Sequence, residues 1–367
     1  MKISDIMKSK TKNYSFYTKD DYGHDFPRLF TGVFPVDYCT SGIPVGVTSS
    51  VYGPPGAAKT VLSTKLLGNA QKTCWNCFEY LWDCKCDNQK TKKSVVVTTE
   101  KFDYDWAEYL GVDTDELVVA EPVTGEEAVD IIYDVLNADD CGLLVLDSLA
   151  RIIPEQEITD PALSYQVGMR ARLHAKLMNK VKSTLIRKKR RGEHSAFLAT
   201  NQIRAVIGGF AGGEDQPGGF ASKHDWHLTC RLGALKPEST LVDSETELPM
   251  FSKHSLSIVS PGIKRKVFTL AGKGQFYIAL EDTPECNKGD SYDYKTAFTY
   301  ATRWGLIDKK NWAFLGEEYG TKKALMEYWK ENPLQYLTAK RRIIEHIANV
   351  KRGLVEDISP AKENESD

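Results

Sequence analysis

The segment Val45–Leu67, VGVTSSVYGPPGAAKTVLSTKLL, passes from a β-branched run through a Gly/Pro-rich turn into a helical pattern. Val45 to Tyr52 reads as a strand and Val61 to Leu67 as a helix. Between them stands Gly53-Pro54-Pro55-Gly56-Ala57-Ala58-Lys59-Thr60, with Val61 following at once. The spacing Gly53-x4-Ala58-Lys59-Thr60 is that of a Walker A phosphate loop, except that Ala58 replaces the last glycine. Such a loop needs N–H groups that converge on phosphate oxygens at a helix N-terminus, where the dipole favours anions. Lys59 would reach the β and γ phosphates, and the Thr60 hydroxyl would ligand Mg2+. Alanine at 58 is strained if the position requires a positive φ. A chance Gly/Pro turn is the bland alternative, and the flanking strand and helix argue against it.

Outward from the loop, strands and helices alternate. Ser94–Thr99 reads as a strand, with Glu100 at its end. Trp106–Leu110 reads as a helix end, Leu117–Ala120 as a short strand and Gly125–Leu136 as a helix. Gly142–Asp147 is apolar up to its final carboxylate, as in a strand buried on both faces of a parallel sheet. A long basic helical pattern covers 164–191, ending in Arg187-Lys188-Lys189-Arg190-Arg191. Ser195–Thr200 is another apolar strand, and a Gly-rich stretch runs from Ile207 to Phe220. Later strands are expected at His227–Leu232, Leu256–Val259, Lys266–Leu270 and Gln275–Leu280, and amphipathic helix over 294–347. The alternation predicts an α/β fold whose ligands sit beyond the carboxyl ends of the strands. Asp147 there suits a Walker B carboxylate that holds Mg2+. Glu100 could deprotonate a water attacking the γ-phosphate. Gln202 could sense whether that phosphate is present. Each also has a plain reading, as a polar group at a strand end.

The chain has 367 residues, with 48 Lys+Arg against 50 Asp+Glu and a net charge of −2. Binding of nucleic acid by bulk charge is excluded, though a local basic patch is not. The composition, 41% hydrophobic and 27% charged, is that of a globular protein. No stretch approaches the ~18 apolar residues of a membrane span. Met1–Ile6 has no apolar signal core, so a cytoplasmic location without membrane attachment is expected. Residues 356–367 carry five acids against one lysine, an expected disordered tail.

Four of the eight cysteines fall within thirteen residues: Cys74-x2-Cys77-x6-Cys84-x-Cys86. Four thiolates on a short insert, 72–90, are enough for a tetrahedral structural Zn2+ site. Trp75, Phe78, Tyr80 and Trp82 would cap it. Reduced thiols on a loop are the alternative.

These pieces, in this order, resemble the RecA family of DNA strand-exchange recombinases over about residues 36–282. The resemblance rests on Gly42-Ile43-Pro44-x-Gly46, the phosphate loop, Leu110–Asp113, Thr124–Ala128, Val145–Ala150 with Ile153–Ile158, Gly168–Arg172 and Asn201–Arg204 before a Gly-rich loop. It implies a RecA-type ATPase core with a mainly parallel central sheet (36–282). An N-terminal docking arm (1–35) and a small C-terminal α-rich region (283–355) would flank it. By position, Glu100 matches the catalytic glutamate and Gln202 the γ-phosphate switch. Asp103 and Trp106 match adenine contacts, and Arg172 a contact to the DNA backbone. The second DNA loop would include Arg204, Ile207, Gly208, Gly209, Phe210, Gly212, Gly213, Gly218 and Gly219. Lys264, Arg265 and Lys266 would reach the ATP of a neighbouring subunit. Ala58, Gln275–Ile278 with Trp304–Ile307, and Phe16–Asp20 are most similar to the phage UvsX-type recombinases.

The resemblance implies ATP and Mg2+ as cofactors and a homo-oligomeric helical filament on single-stranded DNA. It further implies pairing with homologous duplex DNA, and mediator and single-strand-binding proteins as partners. A hexameric RecA-fold helicase is the competing reading, but ring helicases lack the Glu155–Ile158 and Asn201–Arg204 contexts. A non-hydrolysing RecA-fold regulator is another, and Ala58 keeps it open.

Overall fold

The computed structural model describes residues 26–160, 168–205, 214–215, 225–236, 241, 249–259 and 267–358. Eight strands form its main sheet: β1 (Thr48–Gly53), β2 (Lys93–Thr98), β3 (Leu117–Ala120), β4 (Cys141–Asp147), β5 (Ala196–Gln202), β6 (Leu228–Leu235), β7 (Phe251–Ile258) and β8 (Lys273–Ala279). Their order is β8-β7-β6-β1-β5-β4-β2-β3. From β6 to β3 every neighbouring pair is parallel, whereas β6–β7 and β7–β8 are antiparallel.

Nine helices among the described residues surround this sheet: α1 (Phe34–Thr40), α2 (Lys59–Gln71), α3 (Tyr104–Tyr109), α4 (Gly125–Asn137), α5 (Glu155–Thr159), α6 (Met169–Arg190), α7 (Tyr294–Arg303), α8 (Lys322–Glu331) and α9 (Pro333–Lys351). Alternation along each strand divides the core in two. Val96, Leu143, Val145 and Leu198 face Leu62, Leu66 and Leu67 of α2. Val95, Val97, Leu144 and Leu146 face α4 and α6, through residues such as Ile132, Leu177 and Val181. A run with no polar break, Leu143–Leu146, is what a strand covered by helices on both faces requires. Thr124 starts α4, its hydroxyl accepting from the Glu127 N–H at 3.1 Å. A third cluster joins α7, α8 and α9 to Phe30, Phe34, Phe251 and Ala279.

Several expectations change in detail. Val267–Leu270 forms no strand, although Val267 and Leu270 are buried. The apolar run there reports burial rather than pairing. The helical stretch 294–347 comprises three helices, with the antiparallel pair Ile307–Asp308 and Ala313–Phe314 between the first two. Residues 26–35, at the end of the expected arm, pack into the body: Leu29 and Val33 are fully buried, and Arg28–Leu29 pairs with Ile43–Pro44. Residues 1–25 and 359–367 lie outside the described residues. No helix among the described residues is long and apolar enough to cross a membrane.

Candidate active site and four-cysteine centre

The sheet order gathers the phosphate-loop residues and the expected carboxylates at one edge. Neighbouring strands β1, β5, β4 and β2 end at Gly53, Gln202, Asp147 and Thr98, and Glu100 lies two residues past Thr98. Gly53 pairs with Gln202, and Thr98 with Asp147.

The loop from Gly53 to Ala58 depends on two close constraints. A Cβ on Gly53 would lie 2.4 Å from the Leu232 carbonyl oxygen, so no side chain fits there. Ala58, at the N-cap of α2, has φ +62° and ψ +27°. This left-handed conformation is the one that makes glycine the usual residue at the position. No side chain caps α2, and its first turn carries no acid. The first N–H groups of a thirteen-residue helix are thus left for an anionic ligand. Lys59 lies back along the loop, its Nζ donating to the carbonyls of Gly53 at 3.0 Å and Pro54 at 2.8 Å. Its half-burial lowers its pKa, while Asp147 and Glu100 oppose that shift.

The Asp147 carboxylate accepts two hydroxyls: Thr60 Oγ1 at 2.8 Å and Thr200 Oγ1 at 2.6 Å. A hydroxyl and a carboxylate side by side are oxygen ligands of the kind Mg2+ takes. The chain therefore fits the ion at Thr60 and Asp147. Glu100 is exposed and pairs with Arg151, Oε1 to NH2 at 3.0 Å. Thr98 Oγ1 anchors the turn beneath it, accepting from the Glu100 N–H at 3.1 Å. Sequence reasoning assigned no role to Thr200 or Arg151. Both touch the site only through the sheet order or the turn after β4.

Asp103 has a structural task, since its Oδ1 accepts from the Trp106 N–H at 3.0 Å and caps α3. Trp106 is half-buried, with the Lys288 ammonium 5.7 Å from its ring centroid. Thr60, Thr98, Glu100, Asp103, Trp106 and Asp147 line one cleft of about 90 Å³. Arg172 is exposed in the first turn of α6. Arg204–Ala205 pairs antiparallel with Glu214–Asp215. Ile207, Gly208, Gly209, Phe210, Gly212, Gly213, Gly218, Gly219, Lys264, Arg265 and Lys266 lie outside the described residues.

Away from this edge, Cys74, Cys77, Cys84 and Cys86 converge, all four Sγ atoms lying within 4.8 Å of one another. The Cys77 and Cys84 Sγ atoms are 3.5 Å apart. Four ~2.3 Å Zn–S bonds require sulfurs spaced on this scale. Burial raises the Cys74 pKa, but N–H groups of Lys90, Asn76 and Cys77 outweigh it and bring the thiol down to about 6. Within the cluster the shifts diverge: burial raises the Cys77 thiol, and hydrogen bonds with Cys77 and Cys84 push Cys86 up to about 12. The cluster thus has the donor set of a thiolate metal site, with backbone N–H support for a thiolate at Cys74.

Comparison with known proteins points to one family. A family model for the RecA N-terminal domain matches residues 3–251. The chain is 27% identical to Protein RecA of Pseudomonas putida over 319 residues, covering 84% of this chain and 78% of that protein. It is 28% identical to Protein RecA of Rhodopirellula baltica (strain DSM 10527 / NCIMB 13988 / SH1) over 312 residues, covering 83% and 73%.

Proposed function

Because this chain belongs to the RecA family, we propose that it is an ATP-dependent DNA recombinase. It forms a helical filament on single-stranded DNA and promotes pairing and strand exchange with homologous duplex DNA, in recombination, repair and recombination-dependent replication. The observation that carries this reading is the convergence of Lys59, Asp147, Glu100 and Gln202 at the ends of adjacent strands. RecA-family proteins are DNA-dependent ATPases that use ATP and Mg2+.

In the proposed reaction Lys59 exchanges its two carbonyl acceptors for phosphate oxygens. Thr60 and Asp147 hold Mg2+, which neutralises charge on the β and γ phosphates. Glu100 leaves Arg151 and takes a proton from the attacking water. The water oxygen bonds to the γ phosphorus, the bond to the β–γ bridging oxygen breaks, and ADP and phosphate leave. Exposed ion pairs such as Glu100–Arg151 are worth no more than ~1 kcal/mol, so the exchange is inexpensive. Trp106 stacks on adenine, beside Asp103. Gln202 carries the state of the γ-phosphate to the DNA loop 204–220, and Arg172 contacts the DNA backbone. The arm 1–35 docks subunits through the part before residue 26, since 26–35 packs into its own chain, and Lys264–Lys266 reaches a neighbour's ATP. The four cysteines hold a structural Zn2+. Ala58 and the C-terminal motifs favour the phage UvsX type, acting in a bacterial cytoplasm with mediator and single-strand-binding proteins.

The test is ATP turnover with and without single-stranded DNA, with electron microscopy of the same mixtures. Turnover raised by DNA, together with open helical filaments, supports the reading, and Lys59→Ala should abolish both. Closed rings would support a helicase instead, and absence of turnover a regulator.

A further inference from the structure

The four-cysteine insert has a second attachment that nucleotide chemistry does not use. Thr338, Arg341, Arg342 and Glu345 recur on α9 at i, i+3, i+4 and i+7, one stripe along the helix. That stripe meets the insert. Trp82 Nε1 donates to Thr338 Oγ1 at 2.9 Å, and this hydroxyl donates to Asp83 Oδ2 at 2.5 Å. Buried Arg341 donates to the Phe78 carbonyl and pairs with Glu345 at 2.7 Å and Glu79 at 3.4 Å. Arg342 also pairs with Glu79, at 3.0 Å.

The insert has little regular structure with which to hold those groups in place. Between α2 and β2 its ladder pairing is one isolated bridge, Thr73 to Tyr80. Phe78, directly after Cys77, has φ +63°. A bulky residue keeps that conformation only where its surroundings impose it. On one side the surroundings are the sulfur cluster, and on the other Arg341 on the Phe78 carbonyl.

We infer that a metal ion on the four sulfurs is a bracket that sets the docking of α9, and with it the C-terminal helical region, on the ATPase core. The inference rests on the zinc reading above. An ion that binds only the shaped insert stabilises whatever requires that shape. The polar stripe of α9 uses it, beside the apolar packing of Ile343, Ile344 and Ile347, because the acceptor for Arg341 and the partners of Thr338 and Arg342 lie on residues 78–83.

The experiment uses the full chain. Zinc content is measured by elemental mass spectrometry and amide hydrogen exchange by peptide. Three states are compared: as purified, stripped with a chelator, and reloaded with zinc. One zinc per chain is expected. Stripping should raise exchange in α9 by about tenfold or more while β1 and β4 stay protected, and reloading should reverse it. Trp82→Phe with Thr338→Val, which spares every thiol, should keep the zinc yet raise α9 exchange. Cys84→Ser should lose both, and if it does not fold the stripped wild type supplies that arm. Bound zinc whose removal leaves α9 protected overturns the bracket and spares the metal site. A chain that carries no zinc and takes none up, with α9 protected, overturns both.

Discussion

Ala58 holds a methyl group in a backbone conformation that usually belongs to glycine, at φ +62°. The strain is ~1–2 kcal/mol. Ala58→Gly relieves it but adds freedom to the unfolded chain worth ~0.5–1 kcal/mol. The opposing terms leave a net gain of between zero and about 1.5 kcal/mol. The urea midpoint should therefore stay level or rise slightly, and ATP turnover should stay within about twofold. A larger gain in turnover would mean that Ala58 restrains the loop. Glu100→Gln keeps size and polarity but cannot take a proton. It should lower kcat by about 10²–10⁴ with ATP binding retained, as single-turnover and binding measurements would show. Arg151→Ala removes only an exposed partner of Glu100 and should cost less than ~1 kcal/mol of stability. The placement of Lys59, Thr60, Glu100 and Asp147 at one sheet edge was legible in the sequence because loop spacing and strand ends fix it. Thr200 and Arg151 were not, because their partners come from the order of β5 against β4 and the turn after β4. Asp103 shows the reverse case: resemblance marks it as a ligand contact, and its carboxylate also caps α3.

At the scale of elements, the parallel strands were readable because each is apolar along its length and bounded by turn residues. The antiparallel edge was less so. β7 is half polar, FSKHSLSI, with Phe251, His254 and Leu256 buried among Ser and Lys, so its length exceeded the apolar core Leu256–Val259. His254 has a further consequence. It is buried beside the Phe276 ring, 5.2 Å between centroids, and its Nδ1 has no partner among the described residues. Burial lowers its pKa from 6.5 to about 4. A histidine depressed in the folded state favours folding fully above the unfolded pKa. That contribution is lost as pH falls from 6.5 towards 4. The loss across the window is about 3 kcal/mol. His254→Leu removes the titrating group. Its urea midpoint should fall less between neutral pH and pH ~4.5 than that of the wild type. Equal acid losses in both proteins would assign the acid sensitivity elsewhere.

At the scale of the whole molecule, the expected nucleotide site is small among the described residues. The cleft between the phosphate loop and α3 encloses about 90 Å³, whereas small-molecule sites enclose ~300–1,000 Å³. A nucleotide held there would extend beyond the described residues that line the cleft. Trp106 and Glu100 stand at that margin, half-buried and exposed. A second copy of the chain packed head to tail would cover it, and such contacts repeat without closing, as a filament requires. This predicts complementation between two inactive variants. Glu100→Gln lacks the base within its own subunit but keeps the groups proposed to reach a neighbour. Lys264→Ala with Lys266→Ala keeps Glu100 but lacks those groups. In an equal, random mixture about a quarter of the sites pair an intact Glu100 with an intact neighbour, so about a quarter of the wild-type DNA-stimulated rate should return. The measurement is turnover across a series of mixing ratios at fixed total protein, with saturating DNA. A lysine variant that is active by itself, or a mixture that stays inactive, would return the site to the single chain.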